Sequence, residues 1–263
     1  MRTRRALRSA AALGLPAMTA TACSGEVSRL GMPEPISDQA ERMLNLWQGS
    51  WIAAFAVGAV VWGLIIWAVL FHRKRSDDLP PQVRYNMPIE ILYTAVPFVI
   101  IAVLFYFTAR DENYVEKTTD NPAVTIDVTA FQWSWQFDYK EKAGGQEKTV
   151  ASVVGQPVAP NASSGPKPVM TIPTGQTVRV RLHSNDVIHS FWVPALLYKK
   201  DVMPGYTNEF EFTAKKLGTY EGRCAELCGV DHSRMLFQLK VVTPEQYAKF
   251  IADSKAQAAG GAQ

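Results

Sequence analysis

Two thiols, an imidazole and a thioether fall within one short run of the 263-residue chain, Cys224-Ala-Glu-Leu-Cys228-Gly-Val-Asp-His232-Ser-Arg-Met235. A second imidazole, His189, comes earlier, in Asn185-Asp-Val-Ile-His-Ser-Phe-Trp-Val-Pro194. One local cluster of sulfur and nitrogen donors joined by one distant histidine is how a β-sandwich builds a metal site at its rim. Two cysteines and two histidines fit tetrahedral zinc. Met235 argues for a softer metal, because a thioether is a weak, soft ligand that suits copper. A mononuclear blue-copper site needs one thiolate and here there are two, which can instead bridge two copper ions. A Cys224–Cys228 disulfide is the remaining reading; it closes only a tight loop and adds little stability.

Such ligands need a rigid frame, and the sequence around them reads as strands. After Arg110-Asp111-Glu112, short alternating or β-branched runs cover Val124–Ala130, Gln132–Tyr139, Val169–Ile172, Gln176–Ser184, Asn208–Thr213, Gly218–Arg223 and Leu236–Val242. Pro173-Thr174-Gly175, Pro204-Gly205 and Lys216-Leu217-Gly218 punctuate them. Many short strands with such turns predict an antiparallel sandwich or barrel over residues 108–243. Residues 141–168 are rich in Gly, Ala, Ser and Pro and read as a surface insertion. Thr243-Pro244-Glu245 starts a helix in the tail, 244–263, which fades into Ala and Gly. No internal repeat is evident.

The first third is different. Four arginines (2, 4, 5 and 8), an apolar stretch and small residues up to Ala22 describe a secretory signal over 1–22. Cys23 follows Ala20-Thr21-Ala22, as at a bacterial lipoprotein cleavage site, and is the expected lipid anchor. An exported segment, 23–46, leads to 25 residues without a charge, Trp47–Phe71. That run is long enough to cross a hydrocarbon core of about 30 Å. A second span covers 89–107, with Glu90 its only ionisable side chain and Pro97 inside it. An intramembrane carboxylate is a functional candidate. The loop 72–88 between the spans carries Arg73, Lys74, Arg75 and Arg84, so the positive-inside rule puts it in the cytoplasm and both termini outside.

These segments explain averages that otherwise describe an ordinary soluble chain: 48% hydrophobic residues and a net charge of +3. That charge is too small for a nucleic-acid binder. Three cysteines leave one over from any disulfide framework. They divide instead into Cys23 and the pair in the metal cluster.

Asp186-Val-x-His-Ser-Phe-Trp-x-Pro194 and Cys224-x-Glu-x-Cys-Gly-x-x-His-x-x-Met235 closely resemble subunit II of the haem–copper cytochrome c oxidases. The two spans and Phe131-Gln-Trp-Ser-Trp135 match as well, so the resemblance covers about residues 40–245. It implies a two-helix transmembrane hairpin followed by an all-β cupredoxin-like domain that holds the dinuclear copper centre CuA. By that resemblance Cys224 and Cys228 bridge both coppers. His189 and Met235 complete one ion; His232 and the backbone carbonyl of Glu226 complete the other. The Glu226 carboxylate reaches a magnesium ion shared with subunit I, a sensible partner for a hard cation. Trp133 is where electrons enter, and Glu90 stands at the entrance of a proton path into subunit I. The family more often has Gly-His before Gln-Trp; here Ala130-Phe131 alters the docking surface. His183 and His72 match no ligand position.

The implied role is subunit II of an aa3-type oxidase in a bacterial plasma membrane. It takes electrons from a cytochrome c donor and passes them to haem in subunit I, where oxygen is reduced to water and protons are pumped. The implied partners are subunits I and III, membrane lipid, and cytochrome c or a tethered cytochrome c domain of a bc-type complex. From Thr108 onward, 17 Lys and Arg balance 17 Asp and Glu. A freely diffusing basic donor gains from an acidic face. Neutrality fits a tethered one. A copper-free quinol oxidase subunit would lack the intact Cys/His/Met set, and a copper-delivery protein would carry Met-rich or His-rich motifs, which are absent.

Overall fold

The structure, a computed structural model, describes residues 25–79, 81–143, 145–159 and 165–260. The expected signal over 1–22 and its Cys23 anchor lie outside the described residues. Asn45–Tyr114 makes one compact unit; the other takes in the described chain up to Leu44 and from Val115 onward.

The first unit holds most of two helices, α1 (Asp38–Phe71) and α2 (Met87–Val115), both long and apolar enough to cross a membrane. Each is longer than its uncharged run. Ser37 caps α1 by accepting the Ala40 N–H (3.1 Å), so the helix begins nine residues before Trp47. Helical hydrogen bonds continue past an apolar segment wherever polar side chains face water, and α2 likewise runs on through Arg110, Asp111 and Glu112.

In the second unit, alternation along the chain becomes two faces. In β1 (Val124–Phe131) every second residue, from Val124 to Ala130, is buried. The remaining strands are β2 (Ser134–Ala143), β3 (Gln146–Val154), β4 (Val169–Pro173), β5 (Thr177–Ser184), β6 (His189–Val193), β7 (Tyr198–Val202), β8 (Asn208–Thr213), β9 (Gly218–Cys224) and β10 (Leu236–Val242). They form two five-stranded sheets, ordered β3-β2-β1-β5-β8 and β4-β10-β9-β6-β7. Trp135, Phe137, Phe191 and Phe237 fill the space between them, with Phe191 stacked on Phe237 at 4.7 Å. Tyr139 crosses it: its hydroxyl oxygen accepts the Thr171 N–H (2.8 Å), tying β2 to β4.

Two features depart from the sequence reading. The sandwich is not wholly antiparallel, because β1 pairs parallel with β5 and β10 with β4. The stretch 141–168 is also not all insertion, since β3 lies within it and pairs with β2. Among β3 residues only Ala151 is buried, so the strand has no apolar alternation to reveal it. The tail behaves as its opening residues predict. Thr243 and Gln246 cap each other's backbone N–H groups (3.2 and 3.3 Å), a capping box, and α3 (Pro244–Gly260) packs Phe250 on Tyr139 at 5.2 Å.

Strand register brings the candidate ligands to one end. Arg223 pairs with Leu236, so the chain returns at once on itself and the Cys224 N–H donates to the Met235 carbonyl (3.1 Å). Phe191 pairs with Cys224, which sets His189 beside that loop. The same register puts Gly222 opposite Phe237, and a Cβ at 222 would lie 2.3 Å from that ring. Gly222→Ala is therefore expected to cost about 1–3 kcal/mol through overpacking. A thermal unfolding midpoint equal to that of the parent would refute this.

Candidate metal centre

Six donor atoms converge where β6 begins, β9 ends and β10 starts. The Cys224 and Cys228 sulfurs are 3.8 Å apart and both thiols are free, far beyond a disulfide bond of about 2.05 Å. Around Cys224 Sγ lie His189 Nδ1 (3.8 Å) and the carbonyl oxygen of Glu226 (3.2 Å). Around Cys228 Sγ lie His232 Nδ1 (3.6 Å) and Met235 Sδ (3.8 Å). The His189, Cys224 and Cys228 donors all fall within 4.8 Å of one another. His189 and Met235 are fully buried, and the short 3-10 turn His232–Arg234 presents His232 at the more open side.

A buried imidazole coordinates usefully only if its far nitrogen is fixed. Asp186 does this: its Oδ1 lies 2.7 Å from His189 Nε2, so a proton shared there leaves the Nδ1 lone pair facing the thiols. The carboxylate is itself held, accepting the backbone N–H of Val187 on Oδ1 and of Gln132 on Oδ2, both at 2.7 Å. Burial disfavours charge on Asp186, yet these donors hold its pKa below the usual carboxylate range. In the sequence Asp186 stands out only as the first residue of the Asp186–Pro194 motif. Its position three residues before His189 was the available signal. Asp186→Ala is expected to weaken metal retention about 10- to 100-fold. Competition with a chelator measures it, and unchanged retention would sink the assignment.

The thiols are electrostatically unequal. Burial opposes ionisation of Cys224, but the His189 imidazole and backbone groups at Glu226 and Ser190 hold its pKa down at about 7. Burial, and then the charge on that neighbour, push Cys228 up to about 12.

The other sequence-derived residues are distributed as follows. Trp133, half-buried, donates its indole N–H to the Cys228 carbonyl (3.1 Å). Trp135 is a core residue. The Glu226 carbonyl faces Cys224 while its side chain is exposed. Glu90 lies in the first turn of α2, where Oε1 accepts the Asn86 N–H (2.8 Å) and so helps cap the helix. His183 meets Thr207 (3.2 Å) and His72 packs on Trp67.

Residues 124–242 match the family described as "Cytochrome C oxidase subunit II, periplasmic domain". A "Probable cytochrome c oxidase subunit 2" of Streptomyces avermitilis is 49% identical, over 95% of this chain and 87% of the relative. The chain belongs to the cytochrome c oxidase subunit II family. The "Cytochrome c oxidase subunit 2" of Mycobacterium tuberculosis is 37% identical, over 94% of this chain and 81% of the relative. The solved periplasmic domain of subunit II from Bradyrhizobium japonicum aligns with a TM-score of 0.44 and 31% identity, over 53% of this chain and 99% of that one. As a subunit II, the chain serves in a cytochrome-c oxidase, and its fold is the expected one: two apolar helices, then a cupredoxin-like sandwich. It is a membrane protein with an extracytoplasmic domain. The family domain implies a CuA copper site. The donors fit that group: two unjoined thiols, two imidazoles, a buried thioether and an inward carbonyl form a soft set suited to copper.

Proposed function

We propose that Cys224, Cys228, His189, His232, Met235 and the Glu226 carbonyl hold the dinuclear centre, and that single electrons from a cytochrome c donor arrive at Trp133. The convergence of four further donors on two free thiols carries this reading. When bound, two coppers sharing one unpaired electron over two thiolates supply a one-electron relay whose geometry hardly changes on reduction. The chain's residues supply the rest. Buried His189 and Met235 exclude water, Asp186 fixes the imidazole, and Trp133 offers an indole at the surface whose N–H touches the ligand loop. Electrons then leave for haem in subunit I, where oxygen is reduced to water and protons are pumped. The exposed Glu226 carboxylate is free to meet a magnesium ion at that boundary, and Glu90 serves the proton path from the cytoplasmic side. Both termini lie outside, Cys23 carries lipid after removal of the signal, and subunits I and III are the membrane partners. Copper analysis with electron paramagnetic resonance tests the core of this: two coppers sharing one electron are expected, and zinc or one isolated copper overturns it.

The donor is tethered rather than freely diffusing, as a cytochrome c domain of a bc-type complex in a supercomplex would be. Overall neutrality supports this, and so do two acids beside the centre whose charges are already engaged. Asp186 is engaged with His189, and Asp231 is paired with Arg234. Electron uptake from the native donor is expected to change less than about twofold from low to physiological ionic strength, whereas steered encounters fall steeply. Efficient oxidation of soluble cytochrome c with a steep salt dependence would contradict it.

A further inference from the structure

The turn joining β1 to β2 consists of Gln132 and Trp133. Gln132 makes two contacts that the electron-uptake reading does not use. Its backbone N–H donates to Asp186 Oδ2 (2.7 Å), and its side-chain Nε2 donates to the Cys228 carbonyl (2.8 Å). The Trp133 indole N–H donates to that same oxygen at 3.1 Å. A carbonyl has two lone pairs and accepts both. Gln132 thus touches both sides of the ligand set, the Asp186–His189 side through its backbone and the Cys228 loop through its side chain.

The fit at this point is close. Gly229, directly after Cys228, has φ +127, and a Cβ there would lie 3.0 Å from the indole Nε1 and Cζ2 and 3.3 Å from Gln132 Nε2. Amide and indole therefore lie side by side against bare backbone. The indole alone has one neutral hydrogen bond and a half-exposed ring. The Gln132 side-chain amide gives the turn a second hydrogen bond to the same Cys228 carbonyl.

We propose that Gln132 is a positioning residue for electron uptake: its side-chain amide latches the β1–β2 turn to the Cys228 carbonyl and holds the Trp133 indole in the orientation that hydrogen-bonds to the ligand loop. This rests on the reading of Trp133 as the point where electrons enter. The latched indole is connected through the Cys228 carbonyl and that residue's own covalent frame to the thiolate sulfur. A swung-out indole has only a gap.

The test uses the intact oxidase with Gln132→Met, Trp133→Phe and the double variant. Methionine keeps the side-chain length and removes the donor. Gln132→Met is expected to slow electron uptake from reduced cytochrome c about fivefold, the equilibrium weight of one ordinary neutral hydrogen bond. KM for the donor and the copper paramagnetic resonance spectrum stay unchanged, and the substitution adds nothing in the Trp133→Phe background. Gln132→Glu, equal in length but unable to donate when ionised, reproduces the loss and serves if Gln132→Met does not assemble. An unchanged rate, a raised KM with the maximal rate intact, an altered copper spectrum, or the same fivefold loss in both backgrounds overturns the proposal. If Trp133→Phe has no effect, the electron-uptake reading itself fails; if it slows uptake while Gln132→Met does not, only the latch fails.

Discussion

Cys228→Ser is expected to reduce the copper held by the chain from two ions to at most one and to slow donor oxidation by at least about a hundredfold. Cys228 Sγ lies against three other donors, Cys224 (3.8 Å), His232 (3.6 Å) and Met235 (3.8 Å), as many as Cys224 Sγ meets on its own side of the cluster. A hydroxyl at this place keeps the shape but not the soft, charge-donating sulfur. Loss of a supporting hydrogen bond alone typically costs 10- to 100-fold in metal affinity, so loss of a shared ligand sits at or beyond that upper end. The fold should survive, because the substitution removes little volume. Elemental analysis and paramagnetic resonance on the purified oxidase decide the matter; two coppers with the parent spectrum would remove Cys228 from the ligand set.

Trp135→Ala is expected to lower the unfolding midpoint of the exported domain by about 10–20 °C, from an expected loss of about 3–5 kcal/mol. Its ring is fully buried, packs edge-on to Phe237 (5.2 Å) and Phe191 (5.9 Å), and lies 6.3 Å from the His189 ring. Its indole N–H also reaches the Met235 carbonyl at 3.4 Å. Removing it opens a cavity between the sheets and releases the backbone of a ligand, so metal retention should fall together with stability. Calorimetry of the metal-free full chain in detergent isolates the first effect. A shift of only one or two degrees would show that the surrounding aromatics close the gap. Trp133, two residues earlier, lies at the surface of the same end and is not expected to share this cost.

The cluster of candidate donors was legible because most of it is local. Five of the six donors come from residues 224–235, and the pattern of sulfur and nitrogen there has little use other than metal binding. The strands around it were legible where one face is buried: the boundaries Asn208–Thr213 and Leu236–Val242 are those of β8 and β10. β3 was not, because an edge strand with a single buried residue carries no clear alternation. β6 and β7 were hidden by their brevity and by the Pro194–Leu196 turn between them, which ends with Leu197 at φ +52. The parallel pairings were out of reach because parallel neighbours are joined by long crossovers rather than turns. The Asp186–Gln132 contact links residues 54 apart, so only the folded chain reveals that one carboxylate serves both a ligand and the turn carrying Trp133. The helices run past the apolar stretches because an apolar run measures a membrane, whereas a helix stops where its caps are.

Pairing of β1 with β5, and of β10 with β4 and β9, also fixes an order of events during synthesis. The first strand made waits for the fifth before it has a second neighbour, and the fourth waits for the tenth. One sheet has all its strands only at β8, the other only at β10. The last ligand, Met235, directly precedes the strand that completes one sheet. A chain halted before that residue lacks part of the donor set and the strand that joins β4 to β9. The full set of candidate donors therefore comes together only in a chain made through Met235.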